Sequence, residues 1–161
     1  MKLEKKDCRF VHCYNETRYG GLTIAYLLKE KSIIVGLAYC HDNDTYSRKE
    51  GTAMAVGRIN DYLQYGYNAE RDGIKGLRDS THGKIVAFEL ESAFVLKTIS
   101  IALMKDIPSG LSGLAQVLSL PKLKQVTLSL AKAIEVESFD DLTIPVIDDF
   151  IKQYVFTFIK K

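Results

Sequence analysis

The first part of the chain alternates apolar and polar residues with the period of two that is typical of β-strands. Residues 9–14 alternate in this way, and the apolar runs 22–28 and 33–40 follow them. A Tyr-Gly-Gly turn separates the first two segments, and a polar Lys-Glu-Lys-Ser connection separates the second from the third. We therefore predict a three-stranded antiparallel meander over residues 8–41.

A helix over residues 47–64 is predicted to pack on this meander. Residues 47–50 have the Ser-x-x-Glu form of a capping box, although Asp44 or Thr45 are alternative caps, and Gly66 marks the expected end. One stripe of the helix carries the residues that we expect to face the sheet, Thr52, Ala55, Ile59 and Tyr62.

The pattern changes after this helix. Residues 66–84 contain four glycines and show no apolar periodicity, which predicts a loop or linker. Val86–Lys105 is apolar nearly all round and is predicted to be a buried helix. Further helical segments are expected at 111–120, at 122–136 and in a final helix with Pro145 in its first turn.

The predicted fold class is therefore α+β, with an antiparallel meander packed on one helix and followed by a helical C-terminal half. The predicted divisions are residues 1–65 for the meander and helix, 66–84 for the linker, and 85–161 for the helical region.

Composition and charge narrow the function classes. The chain has 161 residues with 47% apolar and 26% charged, so it is long and apolar enough to bury a core. A net charge of +2 is small for a general nucleic-acid-binding domain. Three irregularly spaced cysteines favour a reducing compartment, and neither a signal peptide nor a membrane span is evident. We expect a cytoplasmic protein.

The helix after the meander contains an unusual number of small residues. Each glycine inside a helix costs about 1 kcal/mol relative to alanine, and this helix has two, Gly51 and Gly57. One explanation is close packing of the helix on another backbone. The other is a flat ligand that lies on the face formed by Ser47, Gly51, Met54 and Arg58, with its anionic groups held by arginine.

The segment also resembles a motif of small bacteriophage proteins. The matching residues are Cys40, Asp44, Tyr46, Ser47-Arg48-Lys49, Gly51, Ala55 and Gly57-Arg58, after a strand that ends in Ala-Tyr-Cys. The best understood proteins with this motif are the phage anti-Thoeris sponges, oligomers that bind cyclic ADP-ribose isomers and hide them from host immune effectors. The resemblance covers about residues 8–65, and the helical second half has no counterpart in it.

The resemblance implies a phage anti-defence protein, in the host cytoplasm, that sequesters a cyclic ADP-ribose isomer or a cyclic oligonucleotide without catalysis. The predicted ligand-binding residues are Arg58, Arg48, Lys49, Ser47, Gly51, Ala55, Tyr39 and Asp44. In this set the arginines and Lys49 would hold phosphates, while Asp44 would suit ribose hydroxyls or an amine, or would cap the helix.

No catalytic, metal or cofactor site is predicted. Cys8, His12, Cys13, Cys40 and His41 lack the Cys-x-x-Cys spacing of zinc sites, and neighbouring residues of a strand point to opposite faces. The histidines and serines lie in no recognisable nucleophile motif.

Two other functions remain open. The first half holds most of the nine tyrosines, which together with lysine and arginine would suit stacking on single-stranded nucleic acid. The helical half would instead serve as a module that binds a host protein. We also expect a homo-oligomer, because a small sheet leaves open edges and because the last helix is rich in apolar residues such as Phe150, Tyr154, Val155 and Phe158.

Overall fold

A computed structural model describes most of the chain, as two compact units. It describes residues 2–14, 16–17, 19–71, 74–80, 83–106, 116–128 and 136–159. The first unit is Met1–Ser92 and the second is Ala93–Lys161.

The first unit is built on one antiparallel sheet. Its strands are β1 (Arg9–Cys13), β2 (Tyr19–Leu28), β3 (Ser32–Thr45), β4 (Ala69–Arg71), β5 (Ile74–Arg78) and β6 (Ile85–Glu91). They lie in the order β1-β2-β3-β6-β5-β4, and every neighbouring pair is antiparallel. Helix α1 (Arg48–Tyr65) packs on one face of this sheet.

Both ends of α1 are those that the sequence predicts. Ser47 is the N-cap, and its side chain accepts a hydrogen bond of 3.3 Å from the backbone N–H of Glu50. At the other end, Gly66 has a φ of 75° and donates its backbone N–H to the carbonyl of Tyr62. A glycine meets little steric cost in this left-handed conformation, so it ends the helix at this point.

The second unit is helical where the structure describes it. Helix α2 (Ser92–Asp106) leads into it from the last residue of the first unit, and α3 (Leu120–Leu128) and α4 (Ile144–Tyr154) follow, with α4 continuing as a π-helical turn over Val155–Ile159. Pro145 lies in the first turn of α4, as predicted. The i+4 row Ile147, Ile151, Val155 and Ile159 is buried.

The α+β class is confirmed, but two segment predictions were wrong. Residues 66–84, predicted as a linker, contain strands β4 and β5, and the predicted helix from Val86 is strand β6 up to Glu91. The four successive residues Ile85–Phe88 of strand β6 are all buried, so this part of the strand is an apolar run on both faces. Such a run has no period of two and looks like part of a buried helix. Residues 107–115 and 129–135, which include parts of the predicted helices, lie outside the described residues, as do Lys160 and Lys161.

Helix α1 approaches the sheet very closely at two glycines. A Cβ atom on Gly36 of β3 would lie 2.8 Å from Cγ1 of Ile59 and closer still to the carbonyl oxygen of Ala55. A Cβ atom on Gly51 of α1 would overlap the hydroxyl of Thr23 on β2. The packing explanation therefore accounts for Gly51 and Ala55.

Gly57 is different, because a Cβ atom there would meet no described atom within 4 Å. We expect the two glycines of α1 to respond in opposite ways to alanine. Gly51→Ala should lower the free energy of unfolding by about 1–3 kcal/mol through overpacking on Thr23. Gly57→Ala should raise it by about 0.5–1 kcal/mol, because alanine is the better helix former.

Urea unfolding at low protein concentration measures both changes. Equal signs for the two substitutions would contradict this description of the helix–sheet contact.

Candidate functional site

A cleft lies where β3 ends and α1 begins. Its volume is about 430 Å³. Four of the predicted ligand-binding residues line it: Tyr39, Asp44, Ser47 and Gly51. Its other lining residues are Ala38, Cys40, His41, Thr45, Tyr46, Glu50 and Met54.

The polar groups of this cleft are mainly hydroxyls and carboxylates. Asp44 and Glu50 are exposed carboxylates, Ser47 carries the capping hydroxyl, and the Cys40 thiol donates to the backbone carbonyl of Asp44 at 3.4 Å. Among the described lining residues there is no lysine or arginine. The cleft is therefore suited to hydroxyl and amine groups, which donate to carboxylates, and not to phosphate.

Arg58 lies outside the cleft, next to the point where strands β3 and β6 stop pairing, which we call the fork. The pairing of β3 with β6 ends at Gly36 and Ala87, after which the two strands are no longer paired. The Nη1 of Arg58 donates a 2.6 Å hydrogen bond to the carbonyl of Leu37, the next residue of β3. The guanidinium of Arg58, which was predicted to hold anionic groups of a ligand, is thus directed to this strand carbonyl.

Tyr39 also lies at the fork, where its side chain extends from β3 to β6. Its hydroxyl donates to the carbonyl of Ile85 at 3.3 Å, and the Lys84 ammonium lies 5.0 Å from the centre of its ring. Burial raises the pKa of Tyr39 to about 12. Burial also lowers the pKa of Arg58, against the opposing effects of Asp79 and Tyr39. At neutral pH the fork therefore holds a neutral tyrosine beside a charged arginine, each donating to a strand carbonyl.

The remaining predicted residues are separated from the cleft. Ala55 is fully buried on the side of α1 that faces the sheet, as its stripe predicts, so it offers no exposed surface to a ligand. Arg48 is exposed, donates to the Tyr14 hydroxyl at 3.3 Å and lies 5.6 Å from the centre of that ring. Lys49 is exposed on α1. Neither cation lines the cleft.

A hydrogen-bonded triad of side chains lies beneath the start of α1. The Tyr46 hydroxyl is 2.6 Å from Nδ1 of His12 and 2.5 Å from the hydroxyl of the fully buried Thr23. Sequence reasoning missed this triad, although His12 and Thr23 are directly paired in the β1–β2 register. Tyr14 stacks on Tyr46, with ring centres 4.9 Å apart. The triad fixes the chain just before the cap of α1.

The second unit has a partly exposed aromatic row of its own. Phe150, Tyr154 and Phe158 follow one another at i+4 spacing, and the ring centres of Tyr154 and Phe158 are 4.9 Å apart. Phe94 of α2 meets Tyr154 edge-on at 6.3 Å, and both Phe94 and Phe158 are exposed. This row is the kind of apolar surface that marks interaction sites, but nothing in the described residues indicates what covers it.

Replacing Arg58 tests its role in the fork. Arg58→Ala should lower the free energy of unfolding by about 1–3 kcal/mol, because it leaves the carbonyl of Leu37 without its donor. Arg48→Ala, on the exposed side of the same helix, should cost less than about 1 kcal/mol. Chemical unfolding of both variants beside the parent protein gives the comparison. Equal costs would contradict a specific role for Arg58 in the fork.

Protonation of His12 should weaken the fold. Burial lowers the pKa of His12 below its ordinary value of 6.5, and the charges of Arg48 and Lys5 lower it further. The unfolded chain therefore binds a proton more readily than the folded chain. The stability contribution is complete above about pH 6.5 and is lost as the pH falls through the lower pKa of the folded state.

Unfolding of His12→Gln between pH 5 and pH 8 measures this effect. Its stability should fall less steeply toward pH 5 than that of the parent protein, whereas the exposed His41→Gln control should retain the parent slope. If the stability of His12→Gln fell toward pH 5 as steeply as that of the parent protein, groups other than His12 would be responsible for the acid sensitivity.

Further observations concern metals and membranes. Within the described ranges, no group of three or more His, Cys, Asp or Glu side chains is arranged to hold a metal ion. No helix among the described residues is both long and apolar enough to cross a lipid bilayer.

Comparison with protein-family models, with curated proteins and with solved structures found no match. The resemblance to the phage sponges therefore stays a prediction.

Proposed function

We propose that this protein binds a small nucleotide-derived molecule in the cleft between β3 and α1. The observation that carries the proposal is the cleft itself, whose volume of about 430 Å³ lies within the range of about 300–1,000 Å³ that is usual for small-molecule sites. It combines tyrosine and methionine side chains with hydrogen-bonding groups at one end of a rigid helix–sheet contact.

The side chains that line the cleft determine which part of the ligand can enter it. Asp44 and Glu50 would accept hydrogen bonds from ribose hydroxyls or from an amine of a base, and Ser47 would add a hydroxyl. A phosphate would be repelled by the two carboxylates. It would lie outside the cleft, where Arg48 and Lys49 are exposed directly after Ser47. The ligand class is therefore a nucleoside or ribosyl compound whose phosphates face solvent.

The resemblance to the phage sponges makes cyclic ADP-ribose isomers the first compounds to test, followed by cyclic oligonucleotides. Cyclic ADP-ribose isomers contain ribose rings, an adenine and a diphosphate, which matches the division between an acidic cleft and basic residues beside it. In this proposal the protein sequesters the signal for an invading phage and does not transform it.

Asp44→Asn is the direct test. If Asp44 accepts a hydrogen bond from the ligand, the loss of its charge should weaken binding about tenfold to a hundredfold. Asp42→Asn is the matched control, since Asp42 is an exposed acid of the same strand end and is not among the described lining residues. Isothermal titration calorimetry with cyclic ADP-ribose isomers and adenosine gives the affinities. Equal affinities of the two variants would remove the cleft from consideration.

A second candidate is the binding of single-stranded nucleic acid. The specific observation that favours it is the pairing of exposed tyrosines with cations, as Arg48 lies over Tyr14 and Lys75 lies over Tyr67 at 5.0 Å. Fluorescence anisotropy with a labelled oligonucleotide distinguishes the two functions. Oligonucleotide binding would weaken steeply with salt, whereas binding in the cleft would depend on salt much less.

A further inference from the structure

The outer face of α1 carries a row of four residues that the fold does not explain. Lys49, Ala53, Gly57 and Asp61 follow one another at i+4 spacing, so they lie along one line of the helix surface. Three of them are exposed and Gly57 is half-buried. Within the described structure Gly57 has no close neighbour that would forbid a side chain. We call these four residues the outer row.

Beside the outer row lie a hollow and a protruding side chain. The hollow has a volume of about 590 Å³ and is lined by Lys2, Gly57, Asn60, Asp61, Leu63 and Gln64. It is preformed, because Asn60 accepts from the backbone N–H of Leu3 at 2.8 Å and donates to the carbonyl of Leu3 at 3.0 Å. The protruding side chain is Met54, which is 47% exposed.

We propose that two copies of this protein associate through their outer rows, with the two α1 helices antiparallel. Ala53 and Gly57 share position 55 as their midpoint, and so do Lys49 and Asp61. In an antiparallel pair centred on this position, Ala53 of each copy lies opposite Gly57 of the other. The same register places each Lys49 opposite the other copy's Asp61. The surface is therefore complementary to itself, as a two-fold symmetric interface requires.

The shape of the surface fits the same register. Small residues at the centre let two helix backbones come close, because the distance between packed helices depends on the side chains at the contact. Met54 and Asn60 flank the outer row on opposite sides, and a two-fold axis that crosses the row preserves these sides, so Met54 of each copy lies beside Met54 of the other. Methionine is flexible and can adapt to such a contact.

The charges of the outer row oppose a dimer in which the two α1 helices are parallel. A parallel pair would bring Lys49 against Lys49 and Asp61 against Asp61, and it would also align the two helix dipoles unfavourably. The antiparallel pair replaces both repulsions with attractions.

The interface also borders the cleft, because Glu50 and Met54 line the cleft on the side of α1 that adjoins the outer row. The second copy would therefore lie beside the cleft opening. The association itself does not depend on what the cleft binds. A contact centred on two helices is small, so we expect a dissociation constant on the order of 10–100 µM.

A charge-reversal cycle tests the register. Sedimentation equilibrium over a wide concentration range gives the dimer dissociation constant of the full chain. Lys49→Asp and Asp61→Lys should each weaken the dimer by about tenfold, because each change replaces two attractions with two repulsions. The double variant exchanges the two charges and should return to within about threefold of the parent protein. Lys97→Asp, on an exposed face of α2, is the control and should change nothing.

Gly57→Leu tests the close contact independently. Leucine favours the helix and meets open space in a single copy, so the melting temperature at low concentration should stay the same or rise. The same side chain would separate the two helices and abolish dimers at 300 µM, roughly tenfold above the expected dissociation constant. A monomeric parent protein at 300 µM would overturn the proposal. So would a dimer that is insensitive to Gly57→Leu, or a double charge variant no tighter than the single ones.

Discussion

Helix α1 lies close to strands β2 and β3 because glycine, which has no side chain, occupies the two positions of nearest contact. Gly36 lets the carbonyl of Ala55 come down onto β3, and Gly51 lets the first turn of the helix rest on Thr23. At this distance, ordinary side chains on either surface would hold the two backbones apart. The contact therefore sets both the height of the helix above the sheet and its position along β3.

The two polar clusters of the first unit follow from this close contact. Arg58 is one turn after Ala55, so its side chain starts near enough to the sheet to reach the carbonyl of Leu37 where the β3–β6 ladder ends. At the other end, Tyr46 is tied to Thr23 and His12 before the chain enters the helix. Strand β3 continues beyond its last pair with β6, and the cleft lies between this extension and the start of α1.

Local rules predicted much of the first unit from sequence, including the meander, the cap at Ser47 and the end at Gly66. Strands β4 to β6 were missed for a physical reason. Strand β6 is apolar on the four successive positions Ile85–Phe88, while β4 and β5 are only three and five residues long, too short to show a clear period of two. Pairing with distant strands decides their structure, and a single local segment does not contain that information.

Spacing along the helix anticipated only some of the residues that the structure brings together at the cleft, for a similar reason. Spacing tells which residues share a side of a helix, and it grouped Ser47, Gly51 and Met54, which all line the cleft. Spacing does not tell how far a long side chain bends toward a partner, and Arg58 bends to a carbonyl that only the forked ladder leaves open. Ala55 belonged to the sheet-facing stripe and also to the motif, and burial decided between these roles.

The small residues of α1 therefore have two different physical explanations. Gly51 and Ala55 face the sheet, and their lack of bulk is compensated inside the chain by close packing. Gly57 gains no such contact from the described structure, although it carries the same helix-propensity cost of about 1 kcal/mol. No contact within the described part of one copy offsets this helix-propensity cost, and the approach of a second backbone from outside would account for the glycine. The opposite charges placed symmetrically about position 55 are consistent with that backbone being the same helix of another copy.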